Sequence, residues 1–340
     1  MENSFTKYHE GDLTGKNFLV TGGAGFIGSN IVQYLLEYGA GKVRVLDNLS
    51  NGYYKNIRPF EQYPNFEFVE GDIRDFDTCM NALEGIDYVS HQAALGSVPR
   101  SIVDPLTSNE VNVSGFLNML NAAKESKVKG FVYAASSSTY GDSKALPKVE
   151  ENIGNPLSPY AVTKYVNELY ANVYSGVYGM HSIGLRYFNV FGPKQDPNGA
   201  YAAVIPLFIQ SLVDKQAPTI NGDGLQTRDF TFVHNAVQAN IKGMLRCEGL
   251  EKNEVINIAF GERTSLNELW DALNNAAGTK IEAIHGPNRA GDIRDSLANI
   301  SKAKNLIGYA PEFSMSKGLQ ITYDWFVSSK NFIEETQRKG

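Results

Sequence analysis

The amino-acid sequence predicts an α/β fold, in which a doubly wound parallel sheet is followed by a smaller, mixed α/β lobe. In the first half of the chain, short apolar runs rich in β-branched and aromatic residues alternate with helix-like runs. These apolar runs contain few polar positions, which is typical of parallel strands covered by helices on both faces. The alternation stops near residue 190, where a Gly- and Pro-rich segment follows.

We therefore expect residues 1–190 to form the sheet domain and residues 191–340 to form mainly the second lobe, with the chain crossing back in places. An N-terminal extension over residues 1–14 precedes the first strand, and we expect it to form a helix packed on the outside. Six strands are expected, at 17–22, 42–47, 66–72, 87–93, 130–136 and 181–188. Helices are expected at 26–38, 75–84, 105–126 and 160–178.

The second lobe contains fewer recognisable elements. The turn-like "INGDG" at 220–224 precedes the strand-like "TRDFTFV". Ser265 and Glu268 have the spacing of a capping box, which predicts a helix that runs to about Ala277.

Composition and charge exclude several classes of protein. The 340 residues are 42% hydrophobic and 20% charged, and the net charge is −6 without a cluster of basic residues, which argues against a nucleic-acid groove. The two cysteines and five histidines show no metal-ligand spacing, so no metal site is expected. No apolar run approaches the ~20 residues that a membrane span requires. Because the N-terminus is polar and carries no signal-peptide pattern, we expect a cytoplasmic protein without a membrane partner.

A glycine-rich turn follows the first predicted strand. Gly22, Gly25 and Gly28 lie between that strand and the next helix, where a backbone without side chains can approach a pyrophosphate. Asp47 ends the second strand, nineteen residues after Gly28, and is placed to accept the ribose hydroxyls of an adenosine. A carboxylate would repel a 2′-phosphate, so NAD is favoured over NADP. The predicted cofactor contacts in this part of the chain are Gly22, Gly25, Phe26, Ile27, Gly28, Asp47, Asn48, Asp72, Ile73, Gln92 and Ala93.

A tyrosine and a lysine in "SPYAVTK" form the second candidate group. Tyr160 and Lys164 are four residues apart, so in a helix they project from the same face. Such a pair is common on helix surfaces, but this one follows a nucleotide site and the serines Ser136, Ser137 and Ser138 at the end of the fifth strand. A nearby ammonium and an oxidised nicotinamide both favour the phenolate, so we expect the pKa of Tyr160 to be lowered towards neutrality.

These motifs resemble those of the extended short-chain dehydrogenase/reductases that act on nucleotide sugars. The resemblance covers residues 15–330 and includes "TGGAGFIG", "YAVTK", "NVSG" and "LRYFNVFGP". It implies a Rossmann-type domain in which Tyr160 is the base, Lys164 binds the nicotinamide ribose and Ser136 holds the reacting hydroxyl. It also implies that Tyr187 lies near the nicotinamide and that two long helices pair in a homodimer.

The family's reactions begin with removal of hydride from carbon 4 of the sugar. Dehydratases of this family typically carry an Asp-Glu pair where this sequence has Ser137 and Ser138, and neither serine can supply that acid and base. The acidic residue typical of uronic-acid decarboxylases is also absent, and no cationic grip on a carboxylate is evident. Epimerisation remains, since Tyr160 can return the proton that it accepts.

Matches to UDP-hexose 4-epimerases supply the substrate contacts. The resemblance assigns the nucleotide sugar to Gly96, Ser97, Ser136, Ser137, Asn189, Arg228, Arg289, Asp292 and Ser296. Epimerases restricted to glucose and galactose often have a bulky tyrosine at the position of Ser296 and a lysine at that of Gly96. Small residues there leave room for a 2-acetamido group, which implies a UDP-N-acetylglucosamine 4-epimerase of polysaccharide synthesis.

Two alternatives remain open. The protein could be a 4-epimerase of UDP-glucuronate or UDP-N-acetylgalactosaminuronate, with Arg100 or Arg294 binding the acid group. It could also be a non-catalytic, NAD-binding regulator, although the retention of Ser136, Tyr160 and Lys164 argues against this.

Overall fold

A seven-stranded parallel sheet forms the centre of the protein. The computed structural model describes residues 5–196, 203–287 and 294–338. Six strands come from residues 17–187 and the seventh from further along the chain: β1 (Asn17–Thr21), β2 (Lys42–Asp47), β3 (Phe66–Glu70), β4 (Tyr88–His91), β5 (Gly130–Ser136), β6 (Ile183–Tyr187) and β11 (Glu254–Ile258). Their order across the sheet is β11-β6-β5-β4-β1-β2-β3. The strand order reverses between β1 and β4, and ligands of open α/β sheets bind at such a switch point.

Helices cover both faces of this sheet, and others build the C-terminal lobe. They are α1 (Phe26–Glu37), α2 (Phe76–Ala82), α3 (Val98–Val103), α4 (Pro105–Asn109), α5 (Phe116–Glu125), α6 (Pro159–Tyr178), α7 (Val204–Val213), α8 (Val233–Arg246), α9 (Leu266–Ala277), α10 (Ser301–Ile307) and α11 (Met315–Arg338). One apolar core lies on each face of the sheet, with α1 and α8 on one face and α2, α5 and α6 on the other.

Within its described residues, the C-terminal lobe contains three two-stranded pairings around a separate apolar core. Their strands are β7 (Val190–Phe191), β8 (Thr219–Asn221), β9 (Thr227–Arg228), β10 (Thr231–Phe232), β12 (Thr264–Ser265) and β13 (Ile284–Gly286). The pairs β7–β10 and β8–β13 are parallel, whereas β9–β12 is antiparallel. Helices α7, α9 and α11 pack over this core. The predicted α/β sheet domain and smaller mixed lobe are both present.

The sequence anticipated six strands of the main sheet but not the seventh. Strand β11 pairs in parallel with β6, so residues beyond 190 complete the edge of the main sheet. The short run "EVINI" lies about 70 residues after its partner strand, so no local pattern indicated this pairing.

Two of the expected helices differ from the structure. The helix expected over 105–126 is interrupted by a π-helical segment at Glu110–Gly115, between α4 and α5. The extension does not form the expected helix over its described residues, 5–14. Phe5, Tyr8 and Leu13 are buried instead, and the hydroxyl of Tyr38 donates to the Phe5 carbonyl at 2.6 Å. Apolar burial against α1, rather than helix formation, fixes this segment.

Candidate active site

The switch point of the sheet opens into a cleft of about 1200 Å³. Residues from both lobes line this cleft. They include nearly all of the predicted site residues: Gly22, Gly25, Phe26, Ile27, Gly28, Asp47, Asn48, Asp72, Ile73, Gln92, Ala93, Gly96, Ser97, Ser136, Ser137, Ser138, Tyr160, Lys164, Tyr187, Asn189, Arg228 and Ser296. Arg289 and Asp292 lie outside the described residues. The sequence motifs that predicted the site therefore line one cavity.

The glycine turn after β1 leaves no room for a side chain at Gly22 or at Gly28. Gly22 has φ of 67°, and a Cβ there would lie 2.7 Å from the backbone nitrogen of Ala93. A Cβ on Gly28 would lie 2.2 Å from the carbonyl oxygen of Gly22. No side chain caps α1, and no acidic residue lies in its first turn, so its N-terminal N–H groups remain available to an anion. This cradle fits the pyrophosphate of NAD.

Asp47 lies beside this turn, at the end of β2. Its Oδ2 accepts from the Ala24 N–H and its Oδ1 from the Leu49 N–H, both at 2.9 Å. Burial raises the pKa of Asp47, and the two N–H groups oppose that rise. The carboxylate is thus fixed at the rim of the glycine turn, where it can accept the ribose hydroxyls of an adenosine.

Asp72 lies at the end of β3 and supports the same side of the cleft. The Arg74 side chain lowers the pKa of Asp72 to about 2, and the carboxylate accepts from Asn48 at 2.9 Å. Asp72 is therefore ionised and held by side chains on two loops.

Local sequence places Tyr160 and Lys164 at the head of α6. The hydroxyl of Ser158 accepts from the Ala161 N–H at 3.1 Å, and Pro159 occupies the first turn, so the helix begins just before Tyr160. Lys164 lies one turn later and is buried, and its Nζ donates to the Ala134 carbonyl of β5 at 2.7 Å. This bond holds the ammonium against the end of the strand that carries Ser136.

The protein by itself does not lower the pKa of the Tyr160 phenol. Desolvation in the cleft raises the pKa of Tyr160, and a hydrogen bond with the Ser136 side chain only partly offsets it. Burial also lowers the pKa of Lys164, to about 8. The predicted lowering of the Tyr160 pKa is therefore absent in the protein alone, and it would require the cationic nicotinamide that the prediction also named.

The three serines continue β5 into a single 3₁₀ turn at Ser137–Tyr140. The Ser136 hydroxyl accepts from the Ser138 N–H at 3.1 Å and from the Ser138 hydroxyl at 2.9 Å. Ser136 is thereby fixed beside Tyr160, whereas Ser137 and Ser138 present only hydroxyls to the cleft. Neither can act as a general acid or base near neutral pH.

A network of neutral groups holds Tyr187 at the centre of the cleft. Its hydroxyl donates to Gln92 at 3.1 Å and accepts from Asn240 at 2.7 Å. Burial raises the pKa of Tyr187 well above its ordinary value, so this phenol remains protonated. Strand pairing places Tyr187 opposite Ser136, but the side-chain hydrogen bond with Ser136 comes from Tyr160.

The far end of the cleft contains the predicted substrate residues. Arg228 and Ser296 approach from the C-terminal lobe, and the Ser296 N–H donates to the Thr227 carbonyl at 3.1 Å. A Cβ on Gly96 would have no neighbouring atom within 4 Å, so this wall is open. Ser97 has φ of 99°, an unusual conformation for a residue with a side chain, and such strain concentrates at functional sites.

Sequence reasoning missed Lys148, which also lines this end. The residue is buried, and its Nζ donates to the Ser143 carbonyl. Within the described part of the chain, its ammonium forms no ion pair with a carboxylate. Lys148 lies on the long connection between β5 and α6, in no recognisable motif, so no pattern could have assigned it to the cleft.

The described residues offer neither a metal site nor a membrane-spanning helix. No group of three or more His, Cys, Asp or Glu side chains is placed to hold a metal ion within the ranges that the structure covers. Within the same ranges, every helix is too short or too polar to cross a bilayer. The buried His91 is neutral, because burial lowers its pKa to about 3.

Comparisons with known proteins agree with this geometry. The profile of the NAD dependent epimerase/dehydratase family matches residues 18–259. A putative UDP-glucose 4-epimerase of Methanocaldococcus jannaschii is 40% identical, with 90% of this chain and 97% of that protein covered.

Solved structures extend the similarity to both lobes. A UDP-N-acetylglucosamine 4-epimerase from Methanobrevibacter ruminantium, in complex with UDP-N-acetylmuramic acid, has a TM-score of 0.87 at 38% identity and covers 93% of this chain and 99% of its own. A variant UDP-glucuronic acid 4-epimerase from Bacillus cereus, solved with NAD and UDP-4-deoxy-4-fluoro-glucuronic acid, has a TM-score of 0.83 at 31% identity, with 92% and 99% covered. The chain therefore belongs to the NAD dependent epimerase/dehydratase family, as an extended short-chain dehydrogenase/reductase of the UDP-sugar 4-epimerase type with NAD as its cofactor.

Proposed function

We propose that the protein interconverts UDP-N-acetylglucosamine and UDP-N-acetylgalactosamine by epimerisation at carbon 4. The observation that carries this choice is the cleft wall at Gly96 and Ser296, two small residues that both line the cleft. Gly96 presents no side chain, and Ser296 presents only a hydroxymethyl group. Such a wall accommodates a 2-acetamido group, whereas a tyrosine or lysine there would occupy that volume.

The chemistry divides between the cofactor and the side chains of α6 and β5. NAD, when bound, supplies the acceptor for the hydride of carbon 4. Tyr160 accepts the proton of the 4-hydroxyl as the hydride leaves, and Ser136 orients that hydroxyl through its own hydrogen bonds. The 4-keto sugar then rotates, so that the hydride returns to the opposite face of carbon 4. Tyr160 gives the same proton back to the 4-oxygen, so no other acid or base is needed.

Lys164 and Arg228 position the reactants. The ammonium of Lys164 is held against β5, one helical turn after Tyr160. Together with the cationic cofactor, it favours the anionic form of the Tyr160 phenol. Arg228 has a planar, permanently charged group suited to the substrate's diphosphate. Asn189 holds the adjoining backbone through its bond to the Asp229 carbonyl at 3.1 Å.

The decisive test uses purified protein without added NAD. Each UDP-sugar, acetylated, plain or acidic, is incubated with the protein, and the products are separated by chromatography. Conversion of the N-acetylated pair, faster than that of the plain pair, is the expected result. Dependence on stoichiometric NAD would indicate a dehydrogenase instead. No turnover of any UDP-sugar would favour the non-catalytic regulator.

Lys148 favours one alternative substrate, an acidic UDP-sugar. A buried ammonium in the cleft could bind the carboxylate of a uronate. The arginines first considered for that role already have partners, since Arg100 donates to Asn51 at 2.7 Å and Arg294 pairs with Asp223 at 3.0 Å. Turnover confined to the acidic sugars in the same assay would replace the proposed substrate with this one.

Exposed apolar side chains on the outer helices support a homodimer as the active form. On α6, Val162, Leu169, Val173 and Val177 are each 48% exposed or more. Their spacing of seven, four and four residues places them along one side of the helix. Leu106 of α4, which packs beside α6, is 76% exposed. Sedimentation should give a dimer, and Val173→Glu should give a monomer.

A further inference from the structure

Two side-chain bridges cross the mouth of the cofactor cleft. Arg100 Nη1 donates to Asn51 Oδ1 at 2.7 Å, and the Tyr53 hydroxyl donates to Asp196 Oδ2 at 2.5 Å. Asn51 and Tyr53 follow β2, whereas Arg100 follows β4 and Asp196 follows β7. Both bonds therefore join segments that are far apart in the chain.

Sheet order determines what the first bridge encloses. Strand β1 lies between β4 and β2, so a bond from the segment after β2 to the segment after β4 passes over the end of β1. The glycine turn that follows β1 is the pyrophosphate cradle described above. We therefore expect a dinucleotide bound in this cradle to lie beneath the Asn51–Arg100 bridge.

Both walls of this enclosure are fastened to the glycine turn. On one side, the Tyr53 N–H donates to the Ala24 carbonyl at 3.0 Å, and a Cβ on Gly52 would lie 2.9 Å from the Ala24 side chain. On the other side, the backbone of Ala93 packs against Gly22. The glycine turn, the two walls and the Asn51–Arg100 bridge thus form a closed ring of protein.

The second bridge closes the side of the cleft above α1. Lys194 Nζ donates to Gln33 at 3.0 Å, and the Asn30 side chain donates to the Pro193 carbonyl at 3.3 Å. These bonds hold residues 193–196 against α1, the helix whose N-terminus adjoins the cradle. The Tyr53–Asp196 bond joins this segment to the wall after β2.

We propose that the Asn51–Arg100 and Tyr53–Asp196 bridges retain NAD by closing over it, so that release requires both to open. The inference rests on the proposed function, because internal return of the hydride requires that the cofactor stay bound through each turnover. Neither bridge has a part in the chemistry at carbon 4. Their removal should therefore change cofactor release, whichever UDP-sugar is the substrate.

The test measures release of NAD, not activity. Holoprotein carrying radiolabelled NAD is diluted into excess unlabelled NAD, and the bound label is followed with time. Asn51→Ala and Tyr53→Phe should each speed release about threefold to tenfold, the range expected for one lost hydrogen bond. The double variant should approach the product of the two factors, because the bridges are separate bonds.

Tyr54→Phe is a matched control for Tyr53→Phe. The two tyrosines are adjacent in sequence, and Tyr53 is 42% and Tyr54 41% exposed. Each hydroxyl donates to a carboxylate. The partner of Tyr54 is Glu61 in the same surface segment, so this bond does not cross the cleft. Tyr54→Phe should release NAD at the parent rate. Thermal unfolding of each variant checks that the fold is intact.

Two results would overturn the inference, and they can be told apart. If the parent retains NAD and the Asn51 and Tyr53 variants release it no faster than Tyr54→Phe does, the bridges do not retain the cofactor, and the proposed function stands. If the parent itself exchanges NAD within one turnover, both the bridges and the internal hydride cycle are wrong.

Discussion

Arg186 of β6 and Glu168 of α6 form a buried, two-point ion pair. The guanidinium donates from Nε to Oε1 at 2.9 Å and from Nη2 to Oε2 at 2.7 Å. Glu168 lies one helical turn after Lys164, so the pair fastens the helix that carries Tyr160 and Lys164 to the strand that ends at Tyr187. The placement of Tyr160 and Lys164 therefore depends on an ion pair whose two members are not among the residues that line the cleft.

Glu168→Gln should destabilise the protein and reduce kcat. Removal of one partner of a buried pair leaves an uncompensated charge, which costs about 3–5 kcal/mol. Urea unfolding checks the free energy, and steady-state kinetics check the rate. Asp223→Asn removes one partner of the exposed Arg294 pair and should cost less than about 1 kcal/mol. Equal costs for the two variants would contradict a structural role for Arg186 and Glu168.

Tyr160→Phe should abolish turnover while the NAD content of the purified protein stays near that of the parent. The phenol oxygen is the only group removed, and the glycine cradle and Asp47 lie elsewhere in the cleft. Turnover is measured by chromatography and NAD content after acid release. Tyr187→Phe removes the neighbouring phenol and should retain measurable turnover. A Tyr160→Phe protein with ordinary kcat would refute the proton-transfer role.

Ser296→Tyr should shift preference from acetylated to plain UDP-hexoses. A tyrosine would occupy the space assigned to the acetamido group, so kcat/KM for the acetylated pair should fall about 10- to 100-fold relative to the plain pair. Ser301→Tyr introduces the same side chain at an exposed position in α10 and is the control. An unchanged ratio in Ser296→Tyr would mean that position 296 does not set specificity.

His234 should make the protein less stable in acid. It is buried among Phe5, Phe232 and Phe313, and burial lowers its pKa to about 3, with Lys194 and Lys317 acting in the same direction. Below an unfolded pKa of about 6.5, the unfolded chain binds a proton that the native chain does not. Stability contributed at this residue is therefore lost as the pH falls from about 6.5 towards 3.

Replacement by a neutral ring removes that loss. When the pH is lowered from about 7.5 to about 5, the free energy of unfolding of His234→Phe should fall by about 2 kcal/mol less than that of the parent. The difference is about 1.36 kcal/mol for each pH unit below the unfolded pKa of the histidine. Urea unfolding at the two pH values measures the difference. His285→Phe alters an exposed histidine and should follow the parent. Identical losses in the parent and His234→Phe would contradict the assignment.

The parts of the site that could be predicted are those fixed by short-range geometry. A glycine turn between strand and helix, a Ser-Pro helix start and a four-residue Tyr-Lys spacing each have a local physical cause. Parallel strands then bring these segments to one edge of the sheet. For this reason Gly28, Asp47, Tyr160 and Lys164 could be placed in one cleft before their distances were known.

The missed features depend on contacts between distant segments. Lys148 reaches the cleft through the long connection after β5, and Arg100 meets Asn51 only because β4 and β2 flank β1. The electrostatic error at Tyr160 has a different origin. Sequence spacing gives proximity to Lys164 but not the burial that raises the pKa of the phenol.

The return of β11 to the main sheet limits how the two lobes can be exchanged. A chain truncated at residue 190 would leave the edge of β6 unpaired and the face beneath α8 uncovered, and such edges promote aggregation. Chimeras that import a relative's sugar-binding lobe should therefore keep residues 233–258 with the recipient's own nucleotide half. Swaps designed at the apparent midpoint of the sequence would divide a single folding unit.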